Sequence, residues 1–378
     1  VITTKCSKKG NVNWGTDVQH ENIHVHRISA NYPMWLLSSS SKNILGRYFR
    51  KFLRFVLMKT MYYLDPAQRW GSKLIPCARA VIKEHHIKNV VVTGPPSSLH
   101  YTSAFLKIEN PEIHLIQDYR DSWNDDVDYQ YLKKLNYFWQ KEKSVYMEIV
   151  SMIYSDVIVF PTNDILHRMK KTYGSFSKKF VCIHNGYDVD DYGCAIINPG
   201  LADFKMIYIG NIPDSRIPAF TLLCSALNKM QDEYFQNNFT VDIFGKDQDA
   251  LYSVMRDSAV FSKYFHRYSE TPLKQISANM PTYSFGLSIN AEMYPYAFGT
   301  KVFDYMATRR KIFLISNGGE LYELLKVKGH YVARYDVDDI IKTLKQMKED
   351  YLSAKMPSCD FDNFDIPHLT QRYEELFL

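Results

Sequence analysis

Residues 284–316 read SFGLSINAEMYPYAFGTKVFDYMATRRKIFLIS. Phe285, Leu287 and Ile289 alternate as one face of a short strand. A polar, aromatic loop with Pro295 and Gly299 follows, and Thr300 is placed to cap a helix. Val302, Phe303, Tyr305 and Met306 recur at helical spacing, and Lys311 to Ile315 forms a second apolar strand. Strand, loop, helix and strand in this order predict a parallel α/β sheet. The loop and the helix start then fall at the carboxyl edge of its strands. Open α/β folds bind ligands at that edge, and a helix N-terminus favours phosphate.

The alternation extends outward in both directions. KMIYI (205–209) ends at Gly210-Asn211, a proline-opened helix runs from Pro218 to Met230, and FTVDIF (239–244) ends at Gly245-Lys246. Residues 260–266 are expected as a further strand, Gly318-Gly319-Glu320 as a glycine turn entering a helix, and residues 340–347 as a helix. Towards the N-terminus, the strands are NVVVT (89–93), IHLIQ (113–117), DVIVFP (156–161) and KFVCI (179–183). Helices are expected over 71–86, 129–152 and 163–173, and a strand over 23–28. VITT at the start resembles the end of a second Rossmann strand, so a first strand is expected to be missing from this sequence. With 378 residues and one restart of the pattern, two domains are expected, 1–188 and 189–363. A last helix over 364–378 would cross back to the first.

Composition is that of a soluble globular protein, 46% hydrophobic and 23% charged, with a net charge of +5 that is too mild to argue for nucleic acid. The six cysteines (Cys6, Cys77, Cys182, Cys194, Cys224, Cys359) show no metal-binding spacing and read as reduced thiols of a cytoplasmic protein. No apolar run is long enough to span a bilayer. The positive charge is concentrated. Residues 1–60 hold ten Lys/Arg against Asp17 and Glu21, a net of +8, which leaves −3 for the rest. Within it, ILGRYFRKFLRFVLMKTMYYL (44–64) places aromatic and basic residues at helical spacing. That makes it a candidate for a peripheral contact with an anionic membrane surface.

Three further segments stand out, two for their chemistry and one as a hinge. GPPSSLH (94–100) follows a buried strand. Its prolines Pro95 and Pro96 force a tight exit, Ser97 or Ser98 is placed to cap the next helix, and His100 lies on that helix. DYRDSW (118–123) follows the next strand. Arg120 can pair bidentately with a carboxylate or phosphate, Asp121 can bond sugar hydroxyls, and Trp123 can offer a flat face to a pyranose. Asp118 can pair with Arg120. HNGYD (184–188) reads as a tight turn, its Asn-Gly supplying positive φ, at the hinge between the domains.

In order and spacing these segments resemble the GT-B glycosyltransferases close to the retaining glycosyltransferase family four. GPPSSLH is similar to that family's s-G-P-P-x-s-x-H, DYRDSW to D-x-R-D-p-W, HNGYD to p-N-G-v-D, and GTKVFDYMATRRKIF to s-T-K-l-x-E-Y-l-a-x-g-K-P. The resemblance covers most of residues 88–325. It implies an α/β fold of two Rossmann-like domains facing a cleft. It also implies transfer of a hexosyl or N-acetylhexosaminyl group, with retention, from a nucleotide sugar to a glycan or polyprenyl-linked acceptor in surface polysaccharide synthesis. Asp304 would hold the ribose. Gly299, Thr300, Lys301, Tyr296 and Gly210 would surround the donor, and Arg216 and Lys246 would face its diphosphate. Asp121 and Arg120 would line the reacting sugar, with Gly94, Pro95, Ser97, His100, Asp118 and Trp123 on the acceptor side. No metal or other cofactor is implied, and Asp125-Asp126-x-Asp128 reads as loop. Asp304 stands where the family has Glu, and Tyr296 where it has a second Glu. A nucleotide-sugar epimerase on the same fold and a non-catalytic partner subunit remain as alternatives.

Overall fold

The computed structural model describes residues 1–4, 21–29, 44–60, 65–124, 138–192, 203–245, 248–269 and 271–378. Its contacts divide the chain into two compact units. One comprises 1–161, 165–182 and 376–378, and the other 162–164 and 183–375. The division thus falls after Cys182 rather than after Asp188. The helix Ile366–Glu374 groups with the second unit, and only Leu376–Leu378 with the first.

In the first unit β1 (Ile2–Thr4) and β2 (His26–Ile28) form a parallel pair. A four-stranded parallel sheet follows in sequence order: β3 (Asn89–Gly94), β4 (His114–Tyr119), β5 (Val157–Phe160) and β6 (Phe180–Cys182). Helices Gly71–His85, Ser98–Glu109, Phe138–Tyr154 and Asn163–Thr172 alternate with these strands. The strand expected over 23–28 is confined to β2. The expected helix 129–152 begins, among the described residues, at Phe138 and runs on to Tyr154.

The second unit holds six parallel strands. They are β7 (Asp203–Ile209), β8 (Thr240–Phe244), β9 (Phe265–Tyr268), β10 (Tyr283–Ile289), β11 (Lys311–Ile315) and β12 (Tyr331–Ala333). Their spatial order is β12-β11-β10-β7-β8-β9, the doubly wound arrangement in which strand order reverses between β7 and β10. Period-2 alternation supplies both buried faces. Met206, Tyr208, Phe285, Leu287 and Phe313 enter one core cluster, and Ile207, Ile312 and Leu314 the other. Of the strand expected over 260–266, residues 260–264 instead belong to the helix Ala259–Tyr264. Ser258 caps that turn at the Phe261 N–H, and the strand starts only at Phe265. The helix expected over 340–347 is longer, Val337–Leu352, because Asp336 caps it one turn earlier.

The HNGYD turn packs on the segment before the last helix. The Tyr187 N–H donates to the Phe364 carbonyl (3.0 Å), and the Ile366 N–H donates to the Tyr187 carbonyl (2.9 Å). Gly186 does not take the expected left-handed φ. Glycine is required there by closeness, since a Cβ would lie 2.2 Å from the Phe364 carbonyl oxygen.

Candidate functional site

The reversal point between β7 and β10 is where a doubly wound sheet leaves room for a ligand, and Lys301 of the 284–316 stretch lies there, with Asp304 one turn further along its helix. β7 exits through Gly210, whose φ of +106° suits glycine. Its N–H donates to the Phe244 carbonyl (2.7 Å), which joins it to the turn after β8. Lys301 opens the helix Lys301–Ala307 and lies against this turn. A Cβ on Gly210 would sit 3.6 Å from the Lys301 Nζ.

The Lys301 ammonium is buried and has no hydrogen-bond acceptor among the described residues. It stands 3.7 Å over the centre of the Tyr208 ring. Burial, then repulsion from Arg216, push its pKa well below the usual lysine value, with Asp304 opposing them. Arg216 precedes the helix Ile217–Met230 and donates to the Tyr208 hydroxyl (3.3 Å) and the Asn211 carbonyl (3.4 Å). Two basic groups thus meet over one turn, and one of them is desolvated with no acceptor among the described residues. An anion is what such an arrangement lacks.

Asp304 lies one turn along the same helix. Its carboxylate accepts from the Tyr192 hydroxyl. Burial lifts its pKa to about 6, held from rising further by Tyr192 and Lys301, while Asp191 adds to the rise. The rise from 3.8 to about 6 corresponds to about 3 kcal/mol lost from the fold once the group is ionised. The folded state binds the proton more tightly than the unfolded chain, so this cost is absent below about pH 4 and complete above about pH 6. Asp304→Asn, which keeps an acceptor for Tyr192, is therefore expected to melt several degrees higher than wild type at pH 7 and identically at pH 3.5. Thermal melts across that range check it.

The helix itself is pinned by Tyr305. Its buried hydroxyl donates to the carbonyls of Ile207 and Leu287 (3.1 Å each) and accepts from the Ile209 N–H at 3.3 Å, so it bridges β7 and β10. The Thr300 hydroxyl does not cap the helix as expected. The residue is already αR, a backbone unsuited to that bond. Tyr296 packs edge-on to Tyr294, with ring centroids 5.9 Å apart, in a loop that Asn290 braces through the carbonyls of Pro295 and Ala297. Around Gly299 the space is open. Lys246 lies outside the described residues.

The glycine turn at Gly318-Gly319 enters the helix Glu320–Val327, but its first amide is taken. The Glu320 N–H donates to Asp164 (2.6 Å). The Glu320 carboxylate accepts from the Asn163 N–H (2.6 Å) and sits 2.8 Å from His184 Nε2. These contacts occupy both the amide and the carboxylate of Glu320.

In the first unit the two motifs are neighbours because β3 and β4 run in register, Thr93 opposite Asp118 and Gly94 opposite Tyr119. The Arg120 N–H donates to the Gly94 carbonyl (2.9 Å). Pro95 and Pro96 follow in the exit turn, and Ser97 makes no capping bond. Asp65 does that work from a distance, accepting from the Ser98 N–H (2.8 Å) and hydroxyl (2.5 Å). A Cβ on Gly94 would come within 2.5 Å of His100 Nε2. His100 is buried and stacks on Tyr119 at 4.1 Å, and burial lowers its pKa to about 3, so the ring is neutral. Arg120 pairs with Asp118 at 2.7 Å, and Asp121 is exposed beside them. Trp123 does not offer the expected open face, because it is buried against His100 and Tyr119. Glu148, which the sequence did not single out, accepts from the Asn124 amide (2.7 Å) and anchors the end of this loop. Tyr208 and Tyr192 were likewise missed, being two among 28 tyrosines.

No family model and no curated protein sequence matches the chain. Solved structures do. A glycosyltransferase from Rickettsia africae aligns with 93% of this chain and 84% of its own at 14% identity, with a TM-score of 0.58. The apo lipopolysaccharide outer core galactosyltransferase WaaB covers 81% of this chain and 79% of its own at 10% identity (TM-score 0.55). An alpha,alpha-trehalose 6-phosphate synthase from Burkholderia multivorans covers 82% and 75% at 10% identity (TM-score 0.56). The fold is that of GT-B glycosyltransferases. It is α/β, with two Rossmann-like units of parallel sheet.

Proposed function

We propose that this protein is a retaining glycosyltransferase that moves a hexosyl or N-acetylhexosaminyl group from a nucleotide sugar to a glycan or lipid-linked acceptor. One observation carries the reading. The buried Lys301 ammonium lacks an acceptor and stands beside Arg216 at the strand-order reversal. A donor diphosphate supplies the missing oxygens, and the two cations offset its charge as it leaves. The bond from the anomeric carbon to the phosphate oxygen breaks while the bond to the acceptor oxygen forms on the same face. The leaving phosphate takes the acceptor proton. Asp304 holds the ribose, and Arg120 and Asp121 serve the reacting sugar. No metal enters this scheme, so turnover is expected to survive a chelator.

The acceptor class draws on a second feature. In the helix Ile44–Thr60, Leu45, Tyr48, Phe49, Phe52 and Phe55 are all exposed large apolar residues, at spacings that form one stripe, within the segment of net +8. Residues 61–64 of the expected membrane-facing stretch lie outside the described residues. A bilayer rich in anionic lipid matches both the stripe and the charge, and a lipid-linked acceptor would be met there. WaaB, by its name, builds lipopolysaccharide.

The test has two arms. Thermal shift against nucleoside diphosphates and their sugars is expected to select one base, and NMR of the product to show the donor's anomeric configuration kept. Inversion, or epimerised nucleotide sugar with no acceptor used, would displace the reading. In the second arm, vesicles with anionic lipid are expected to sediment the protein and neutral ones to leave it in solution. A Phe49→Ser/Phe52→Ser variant that still sediments would remove the membrane assignment.

A further inference from the structure

Tyr208 is fully buried near the end of β7, yet it touches both cations of the site with different parts of one side chain. Its ring face lies 3.7 Å beneath the Lys301 ammonium. Its hydroxyl accepts from Arg216 Nη1 (3.3 Å) and donates to the Asn211 carbonyl (3.0 Å). The ring is held edge-on by Phe220, with centroids 5.4 Å apart. The groups acting on Lys301 are therefore the Tyr208 ring, Arg216, Asp304 from its own helix and the Gly210 backbone. Asp304 is engaged by the Tyr192 hydroxyl, and the Tyr208 ring lies directly against the Lys301 ammonium.

We infer that Tyr208 is a positioning residue that holds Lys301 and Arg216 together as one preformed pair of basic groups for a diphosphate. A π face attracts an ammonium and so favours its charged form. A hydroxyl tied to the adjacent turn fixes a guanidinium close enough to repel that ammonium. The two parts of the side chain act on Lys301 with opposite signs. This rests on the glycosyltransferase reading for its ligand, and on the free protein alone for its geometry.

The opposite signs give the experiment. The Lys301 side chain, labelled with 13C at Cε, is titrated by NMR in wild type, Tyr208→Phe and Tyr208→Leu. Tyr208→Phe keeps the ring and removes one of the two bonds that hold Arg216, leaving the one to the Asn211 carbonyl, so the guanidinium is loosened and the Lys301 midpoint is expected to rise by about half a pH unit. Tyr208→Leu removes the ring as well, and its midpoint is expected below that of Tyr208→Phe. In parallel, Tyr208→Phe is expected to bind nucleoside diphosphate about fivefold more weakly than wild type and the bare nucleoside equally well. An unchanged Lys301 midpoint in Tyr208→Phe overturns the inference, whatever Tyr208→Leu does and even if Tyr208→Leu fails to fold. So does equal weakening for nucleoside and diphosphate, the mark of a merely structural role. Wild type that binds no nucleoside diphosphate would sink the glycosyltransferase reading, while the titration would still decide the role of Tyr208.

Discussion

Lys301→Met is expected to weaken nucleoside diphosphate binding about a hundredfold while raising the melting temperature. The two effects share one cause. In the free protein the Lys301 ammonium is out of water with no acceptor among the described residues, so its charged form is a cost to the fold. Methionine fills a similar volume and carries no charge, which removes that cost. In the complex the same ammonium would donate charge-assisted bonds to phosphate oxygens, each contributing about 1.5–3 kcal/mol, which is a factor of about ten to a hundred or more. The sign of the pH dependence follows. Because the lysine's pKa is depressed in the free protein, a diphosphate that needs the charged form takes up a proton on binding. Affinity then declines as pH rises through the depressed value, and Lys301→Met loses that slope. Calorimetry in buffers of different ionisation enthalpy reads the proton uptake, and melts read the stability. A variant that binds as wild type, or is destabilised like an ordinary core mutant, would contradict the assignment.

Gly286→Ala is expected to cost about 3 kcal/mol of stability and to lower the melting temperature by roughly 6–12 °C. Gly286 sits in β10 opposite Ile207, under the Tyr305 ring. A methyl there would lie 2.3 Å from Tyr305 Cγ. The ring has nowhere to go, because its hydroxyl is tied to β7 and to β10. Any shift of Tyr305 also moves the turn of helix that carries Lys301 and Asp304, so nucleotide affinity is expected to fall together with stability. Adding Tyr305→Leu relieves the clash, and the double variant is expected to lose less than the sum of the single ones. Strict additivity in a mutant cycle would show that the clash is not what is lost.

The parallel α/β character was legible because it depends on local alternation. KMIYI and KIFLI pack both faces of a sheet, and such strands read as apolar runs in any context. The loop and helix start at 299–301 followed from the same pattern, since strand ends of a doubly wound sheet converge by topology, whereas grouping Asp304 and Gly210 with them followed from the family resemblance. What the sequence hid depends on pairings distant along the chain. Asp65 caps the helix at Ser98, so local cap rules misassigned Ser97, and Asp164 takes the first amide of the helix at Glu320, a pairing that nothing near the Gly318-Gly319 turn in sequence signals. Trp123 looked like a platform because its neighbours in sequence are polar. Burial against His100 and Tyr119 could be seen only once β3 and β4 were in register. Residues 259–264 have strand-like composition, yet a single serine cap and packing of Phe261 and Tyr264 into the core make them helical. The role of Tyr208 escaped because a tyrosine under a lysine carries no spacing signal.

The most direct measurement is a crystal structure of the protein with a nucleoside diphosphate bound. The account predicts phosphate oxygens about 3 Å from Lys301 Nζ and from the Arg216 guanidinium, over the Gly210 turn, with Tyr208 unmoved beneath. A nucleotide bound elsewhere, with the Lys301 ammonium still lacking an acceptor, would contradict it.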